Sequence, residues 1–263
     1  MTSLADQVIA ALRSGYDDLA AYAAALTDDD LTAPSGASEW NVSQVLSHLG
    51  SGAEISQATV ERARANAGSA PDGFNQGVWA RWDAMGPRAH RDAFIAANGQ
   101  LVELYESLTA DERRDLRIDL GFLPAPVGVG EAGRMRLNEF ALHTWDAKVG
   151  ADPAATVRAD AVPLLFEAMA GLLGWIAKPD ALGGKSATLA IVTSDPSREF
   201  GLELGEKVAL TDKPATADGT LRLPAEAWLR LITGRLAPEH TPAGVEIDGP
   251  LSLDDLRKVF PGF

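Results

Sequence analysis

Asn138-Glu139-Phe140-Ala141-Leu142-His143-Thr144-Trp145-Asp146 is the stretch on which the reading of this chain turns. It lies in a run from about Glu131 to Val149 that reads as a helix. Four residues rise about 6 Å along a helix axis, so Glu139 and His143 share a face. Asp146, three residues further, shares it too. A Glu–His pair at this spacing is common on ordinary helices, and a lone histidine is usually a satisfied surface or core residue. A functional reading needs a ligand from a second element.

The second histidine sits on the best-signposted helix. Asn41 is an N-cap with Gln44 three residues on as its reciprocal partner. Trp40 at N′ and Val45 at N4 read as a hydrophobic staple, which makes Trp40 a structural anchor rather than a substrate platform. The helix runs through Val45, Leu46, His48 and Leu49 to about Arg64, with His48 on the shoulder of the apolar stripe. If this helix neighbours the one around His143, then His48, Glu139 and His143 meet. Two imidazoles and a carboxylate are the ligand set of a catalytic zinc with one open position. The other two histidines read differently. His90, between Arg88 and Arg91, is expected on a solvated face, and His240, in Ala237-Pro238-Glu239-His240-Thr241-Pro242, in a peripheral loop.

Outward from these helices the pattern stays helical to about residue 150. Leu4, Val8, Leu12, Leu19, Ala23 and Leu26 keep helical spacing. Asp28-Asp29-Asp30 reads as a solvated loop. A polar link, Ala67 to Gly73, precedes a helical region from about Gln76 to Leu108 that Gly86-Pro87 breaks. Thr109 and Glu112 form a capping box for a short turn, and Leu120 to Gly130 reads as a loop. Four substantial helices in this length point to a bundle.

After Asp152-Pro153 the period shortens. One helix is expected from about Ala161 to Ala177. Short strands follow at Ala187–Thr193, Glu199–Leu204, Val208–Leu210 and Thr220–Leu223. A helix opened by Pro224 runs from Glu226 to Thr233 and stops at Gly234. Val245–Ile247 reads as a last strand, and Ser252 with Asp255 caps a terminal helix. The expected organisation is a helical bundle over residues 1–150 and an α/β domain over 155–263.

Composition bounds the function. The 263 residues carry no cysteine, which excludes a disulfide scaffold, a cysteine nucleophile and thiolate metal sites. The formal charge is −14. Both halves are acidic, −9 over 1–150 (12 basic, 21 acidic) and −5 over 151–263 (11 basic, 16 acidic), so neither offers a nucleic-acid footprint. The start, Met1-Thr2-Ser3-Leu4-Ala5-Asp6, does not read as a signal peptide. The most apolar segment, about Val162 to Ile176, holds Pro163, Glu167 and two glycines and is too short and interrupted to span a bilayer. A cytoplasmic protein with no membrane partner is expected.

Four stretches together carry a resemblance. They are Glu39-Trp40-Asn41-Val42 with Val45-Leu46-Ser47-His48-Leu49; Arg136-Leu137-Asn138-Glu139-Phe140-Ala141-Leu142-His143-Thr144-Trp145-Asp146; Trp228-Leu229-Arg230-Leu231-Ile232-Thr233-Gly234-Arg235; and the closing Phe260-Pro261-Gly262-Phe263. In these the chain resembles the actinobacterial mycothiol-dependent maleylpyruvate isomerases over nearly its whole length. The resemblance implies an α plus α/β fold class: an N-terminal DinB-like four-helix bundle with a smaller C-terminal mixed α/β domain like a sterol carrier. It places the family's metal ligands on His48, Glu139 and His143, with zinc the typical metal. Asp146 matches the acidic position after the second histidine and would orient a ligand ring or hold the helix. Arg136 falls one turn before Glu139. The family's carboxylate-binding arginines fall on Arg81, where the match is loose, and on Arg235.

The implied cofactors are a divalent metal and mycothiol, and the implied partners a small-molecule thiol and a small electrophilic, anionic substrate. Thiolate addition to a cis-enedione acid makes the double bond a rotatable single bond, and thiol loss after rotation gives the trans product. A relative that stops after addition is an S-transferase. Two other classes stand beside this: a metal-dependent hydrolase working on metal-bound water, and a non-catalytic small-molecule or lipid-binding protein.

Overall fold

Five capping boxes mark where helices begin. The structure, a computed structural model, describes residues 2–171 and 173–262. It divides into two units, residues 1–152 and 153–263. In the first, Ser3 and Asp6 cap α1 (Leu4–Ala25), and Thr27 and Asp30 cap α2 (Asp28–Thr32). Asn41 and Gln44 cap α3 (Val42–Arg64) through bonds of 2.9 Å in each direction. After α4 (Phe74–Asp83), Pro87 opens α5 (Pro87–Ser107), and Thr109 with Glu112 caps α6 (Ala110–Asp115). Strands β1 (Arg117–Ile118) and β2 (Val127–Gly128) pair before α7 (Val129–Val149).

Asp28-Asp29-Asp30 is not a loop but the first turn of α2. Thr27 Oγ1 accepts from the Asp30 N–H at 3.3 Å, and the Asp30 carboxylate accepts from the Thr27 N–H at 2.9 Å. Three carboxylates at a helix start also lie where the helix dipole favours negative charge.

The four long helices close a bundle. Helix α1 packs on α5 and α7, and α3 packs on the same two. The core is the stripe each presents: Val8, Leu12 and Leu19; Val45, Leu46 and Leu49; Phe94, Leu101 and Tyr105; Leu137, Phe140 and Trp145. Two glycines of α3 let bulky neighbours approach. At Gly50 a side chain would collide with the Trp82 ring of α4, and at Gly52 a Cβ would sit 2.8 Å from Nη1 of Arg136. Trp82 Nε1 donates to Glu54 Oε2 at 3.0 Å, which fastens α4 to α3.

The second unit is mixed α/β, as its shortening periodicity implies. Its single expected helix over 161–177 is instead two, α8 (Val162–Ala170) and α9 (Leu173–Ile176). Gly171 lies between them, and glycine's conformational entropy disfavours continuing a helix through it. Strands β3 (Ala187–Ser194), β4 (Arg198–Leu204), β5 (Val208–Thr211), β6 (Gly219–Pro224) and β7 (Glu246–Asp248) form a sheet ordered β5-β4-β3-β6-β7. Only β3 and β6 run parallel in it. Alternate residues Leu189, Ile191, Leu202, Leu221 and Leu223 are buried. Helix α10 (Ala225–Ile232) packs on β3 and β6, and α8 packs on α10. The Trp228 ring meets Phe200 at 5.3 Å and Phe260 at 6.5 Å. Within α10, buried Arg230 grips Glu226 with two bonds of 2.7 and 2.8 Å. The terminal helix α11 (Leu253–Val259) carries the expected Ser252–Asp255 box. Among the described residues no helix is long and apolar enough to cross a membrane.

Candidate metal centre

Helices α3 and α7 pack directly, and this brings His48 to Glu139 and His143. His48 Nε2 lies 3.1 Å from Glu139 Oε2, and His143 Nε2 lies 3.7 Å from the same oxygen. One potential ligand atom from each of the three residues lies within 4.8 Å of the other two. Among the described residues it is the one such group of three. The imidazole rings stand edge to face, with centroids 4.6 Å apart. The donor set suits a divalent cation, with two imidazole nitrogens, one carboxylate oxygen and access from outside. The His48 and Glu139 side chains are 38 % and 40 % exposed.

Protonation follows from the partners. Burial alone would push the Glu139 carboxyl up. The hydrogen bond from His48 and the charges of His143, His48 and Arg136 outweigh it, so the net direction is below the usual carboxylate range. An ionised carboxylate only accepts, so His48 donates through Nε2. On the other side, His143 Nδ1 lies 2.8 Å from Oδ2 of Asp146, which is fully buried. The contact with Asp146 occupies Nδ1 and leaves Nε2 of His143 facing the cluster. This carboxylate–imidazole arrangement is the one that fixes ring and tautomer at metal sites. Replacing Asp146 with Asn keeps the volume and removes the charge. The expected result is metal affinity about 10–100-fold weaker, read by chelator competition, with the helical circular dichroism unchanged.

Arg136 is buried one turn before Glu139. Its Nη2 donates to Leu49 O at 2.5 Å and to Asn98 Oδ1 at 2.8 Å. Burial lowers its pKa to about 10, while Glu139 and Tyr105 favour its charge. Asn98 also donates to Leu49 O, at 3.3 Å. This polar tie joins α3, α5 and α7 beneath the cluster.

The remaining sequence-derived residues fall elsewhere. Arg81, on α4, pairs with Glu54 of α3 and is largely exposed. Arg235 lies in the second unit, past the end of α10, where its Nη1 donates to Thr233 O at 3.0 Å. His240 is in a short 3-10 turn, and its backbone oxygen accepts from Arg230 at 2.7 Å. His90 is not on a solvated face. It is buried, with Nε2 2.9 Å from Trp82 O. The spacing His90, Phe94, Asn98, Leu101 was the available signal, because it continues the buried stripe of α5 by one turn.

Trp40 also departs from expectation. Its ring lies 5.2 Å from that of His48 and 5.9 Å from that of His143, and the residue is 36 % exposed. It flanks the cluster instead of serving only as a staple.

The sequence matches the family model described as the mycothiol maleylpyruvate isomerase N-terminal domain over residues 12–148, which is 137 of 263 residues. Two solved structures share the fold: the mycothiol-dependent maleylpyruvate isomerase and a histidine-to-alanine mutant of it. Each is 14 % identical with a TM-score of 0.63, covering 96 % of this chain and 98 % of the other. No curated protein matches the chain. With more than half of its length matched by the family model, this chain belongs to the family defined by the mycothiol maleylpyruvate isomerase N-terminal domain.

Proposed function

We propose that His48, Glu139 and His143 hold a divalent cation, zinc by the nature of the donors, and that the protein uses it with a small-molecule thiol. The thiol is mycothiol, after the names of the family and of its structural relatives. The reaction is cis–trans isomerisation of a small anionic electrophile or addition of the whole thiol to it through sulfur. The observation that carries this reading is the convergence of the three side chains on one point. The absence of cysteine adds to it, since the sulfur nucleophile must then come from a small molecule. A bound divalent cation would deprotonate a coordinating thiol and hold its sulfur ready for addition.

The residues divide the remaining work. Asp146 holds His143 in the tautomer that presents Nε2. His48 Nε2, which shares a proton with Glu139 in the metal-free cluster, would have to give up that proton from Nε2 to ligate the cation. Arg136, Asn98 and the Leu49 carbonyl form a buried polar tie that stabilises the bundle. Arg235 is proposed to take the substrate's carboxylate, because its planar fork matches one. Arg81 would have to exchange its Glu54 partner to do the same.

The test is a spectrophotometric assay with maleylpyruvate, with and without mycothiol, on metal-loaded protein. Thiol-dependent cis–trans conversion is expected, and Arg235→Lys should raise KM for the anionic substrate more than it lowers kcat. Stoichiometric thiol adducts with other electrophiles would select thiol S-transfer by addition over isomerisation. Metal-dependent hydrolysis of an ester or amide without thiol would overturn both.

A further inference from the structure

Three rings, not two, meet at the cluster. Trp40 comes from the loop between α2 and α3, and that loop is tied to both helices that carry the ligands. On the α3 side, Asn41 caps the helix, and Val42 N donates to Ala33 O at 3.1 Å. On the α7 side, Gly36 N donates to Asp146 O at 2.8 Å, three residues past His143. Gly36 is needed for that approach: a Cβ there would lie 2.8 Å from Val149 Cγ1 and 2.9 Å from the Trp145 ring. Between these anchors the Trp40 backbone is fixed at both ends. Its N–H donates to Ala37 O at 2.9 Å, and its carbonyl accepts from Ser35 N at 3.1 Å and Ser35 Oγ at 2.7 Å.

We propose that Trp40 is a positioning residue for the metal centre: its indole, held by a loop anchored to α3 and α7, fixes the planes of His48 and His143 and walls that side of the cluster. This rests on the metal-site reading above. The indole is tilted 42° to the His48 ring and 30° to the His143 ring, so one rigid side chain bears on both ligands. Offset and tilted ring contacts of this kind are favourable beyond the area they bury. Each imidazole thus has a second constraint. For His143 it adds to the bond with Asp146, and for His48 it adds to the bond with Glu139. Without the indole, each imidazole ring regains freedom that metal binding must then remove.

The test titrates metal-free protein with cobalt(II), reading tryptophan emission and, separately, calorimetric affinity. The wild type should bind with saturable quenching that includes a component from Trp40, whose ring lies 5.2 and 5.9 Å from the two imidazoles. Trp40→Phe keeps a flat ring, so its affinity should stay near wild type while the quenching on cobalt binding clearly diminishes. Trp40→Ala should bind about tenfold more weakly or worse, the scale of losing a residue that orients a ligand. Its helical circular dichroism should not change, since the side chain is partly exposed. Wild-type affinity in Trp40→Ala, or undiminished quenching in Trp40→Phe, would overturn the assignment of Trp40 alone. A wild type that binds no cobalt would overturn the metal site and this role with it.

Discussion

Replacing His143 with Ala should abolish stoichiometric metal binding. The expected content of freshly purified wild type is about one divalent ion per chain, and the variant should carry almost none by elemental analysis. His143 Nε2 is directed to the cluster because Asp146 holds the opposite nitrogen, and its side chain is only 14 % exposed. Among the described residues His48, Glu139 and His143 are the one group of three ligand-type side chains whose donor atoms gather within 4.8 Å of one another. The substitution also removes the N–H that Asp146 accepts, so some stability is lost along with the metal. Glu139→Gln separates the two effects. It keeps the volume and the hydrogen bond from His48 and removes the charge. It should weaken metal binding by more than about a hundredfold, beyond the effect of removing an orienting partner, with no change in helix content. Retention of one ion per chain in both variants would mean that the metal, if any, sits elsewhere.

Arg136→Met should have the largest effect on folding. The guanidinium is 7 % exposed and donates to Leu49 O and Asn98 Oδ1. Methionine fills much of the volume but leaves Asn98 Oδ1 without its donor in a buried place. Charge-assisted bonds of this kind and the stranded acceptor together are worth about 2–4 kcal/mol, read as the shift in urea midpoint. Metal affinity should not fall with it. A buried positive charge beside Glu139 opposes an incoming cation, so its removal should leave affinity equal or higher. A parallel drop in both would show instead that Arg136 sets the position of Glu139.

The sequence made the helix ends and the ligand spacing legible because both are local. The Asn41–Gln44, Thr109–Glu112 and Ser252–Asp255 pairs each declare a helix start within four residues, and each forms its box. Thr27-x-x-Asp30 carries the same signal, although the three consecutive aspartates by themselves read as a loop. The Glu139–His143 spacing put both side chains on one face. Their meeting with His48 depends on α3 packing against α7, which spacing within one helix cannot express. His90 and Trp40 show where local reading stops. The flanking arginines suggested a solvated His90, yet the phase of Phe94, Asn98 and Leu101 carries it inward. Trp40 fits a staple by position, but a loop bound to two helices delivers its ring to the histidines. The polar tie of Arg136 to Asn98 joins residues 38 apart in the chain, and neither announces the other.

The central claim is that the cluster binds a metal that in turn takes a thiol sulfur. The most direct measurement is the absorption spectrum of the cobalt(II)-substituted protein as mycothiol is added. A new near-ultraviolet sulfur-to-cobalt charge-transfer band, saturating with thiol and missing in His143→Ala, is the result this account predicts. A cobalt spectrum that mycothiol leaves unchanged, in protein shown to carry cobalt at His48, Glu139 and His143, would contradict it.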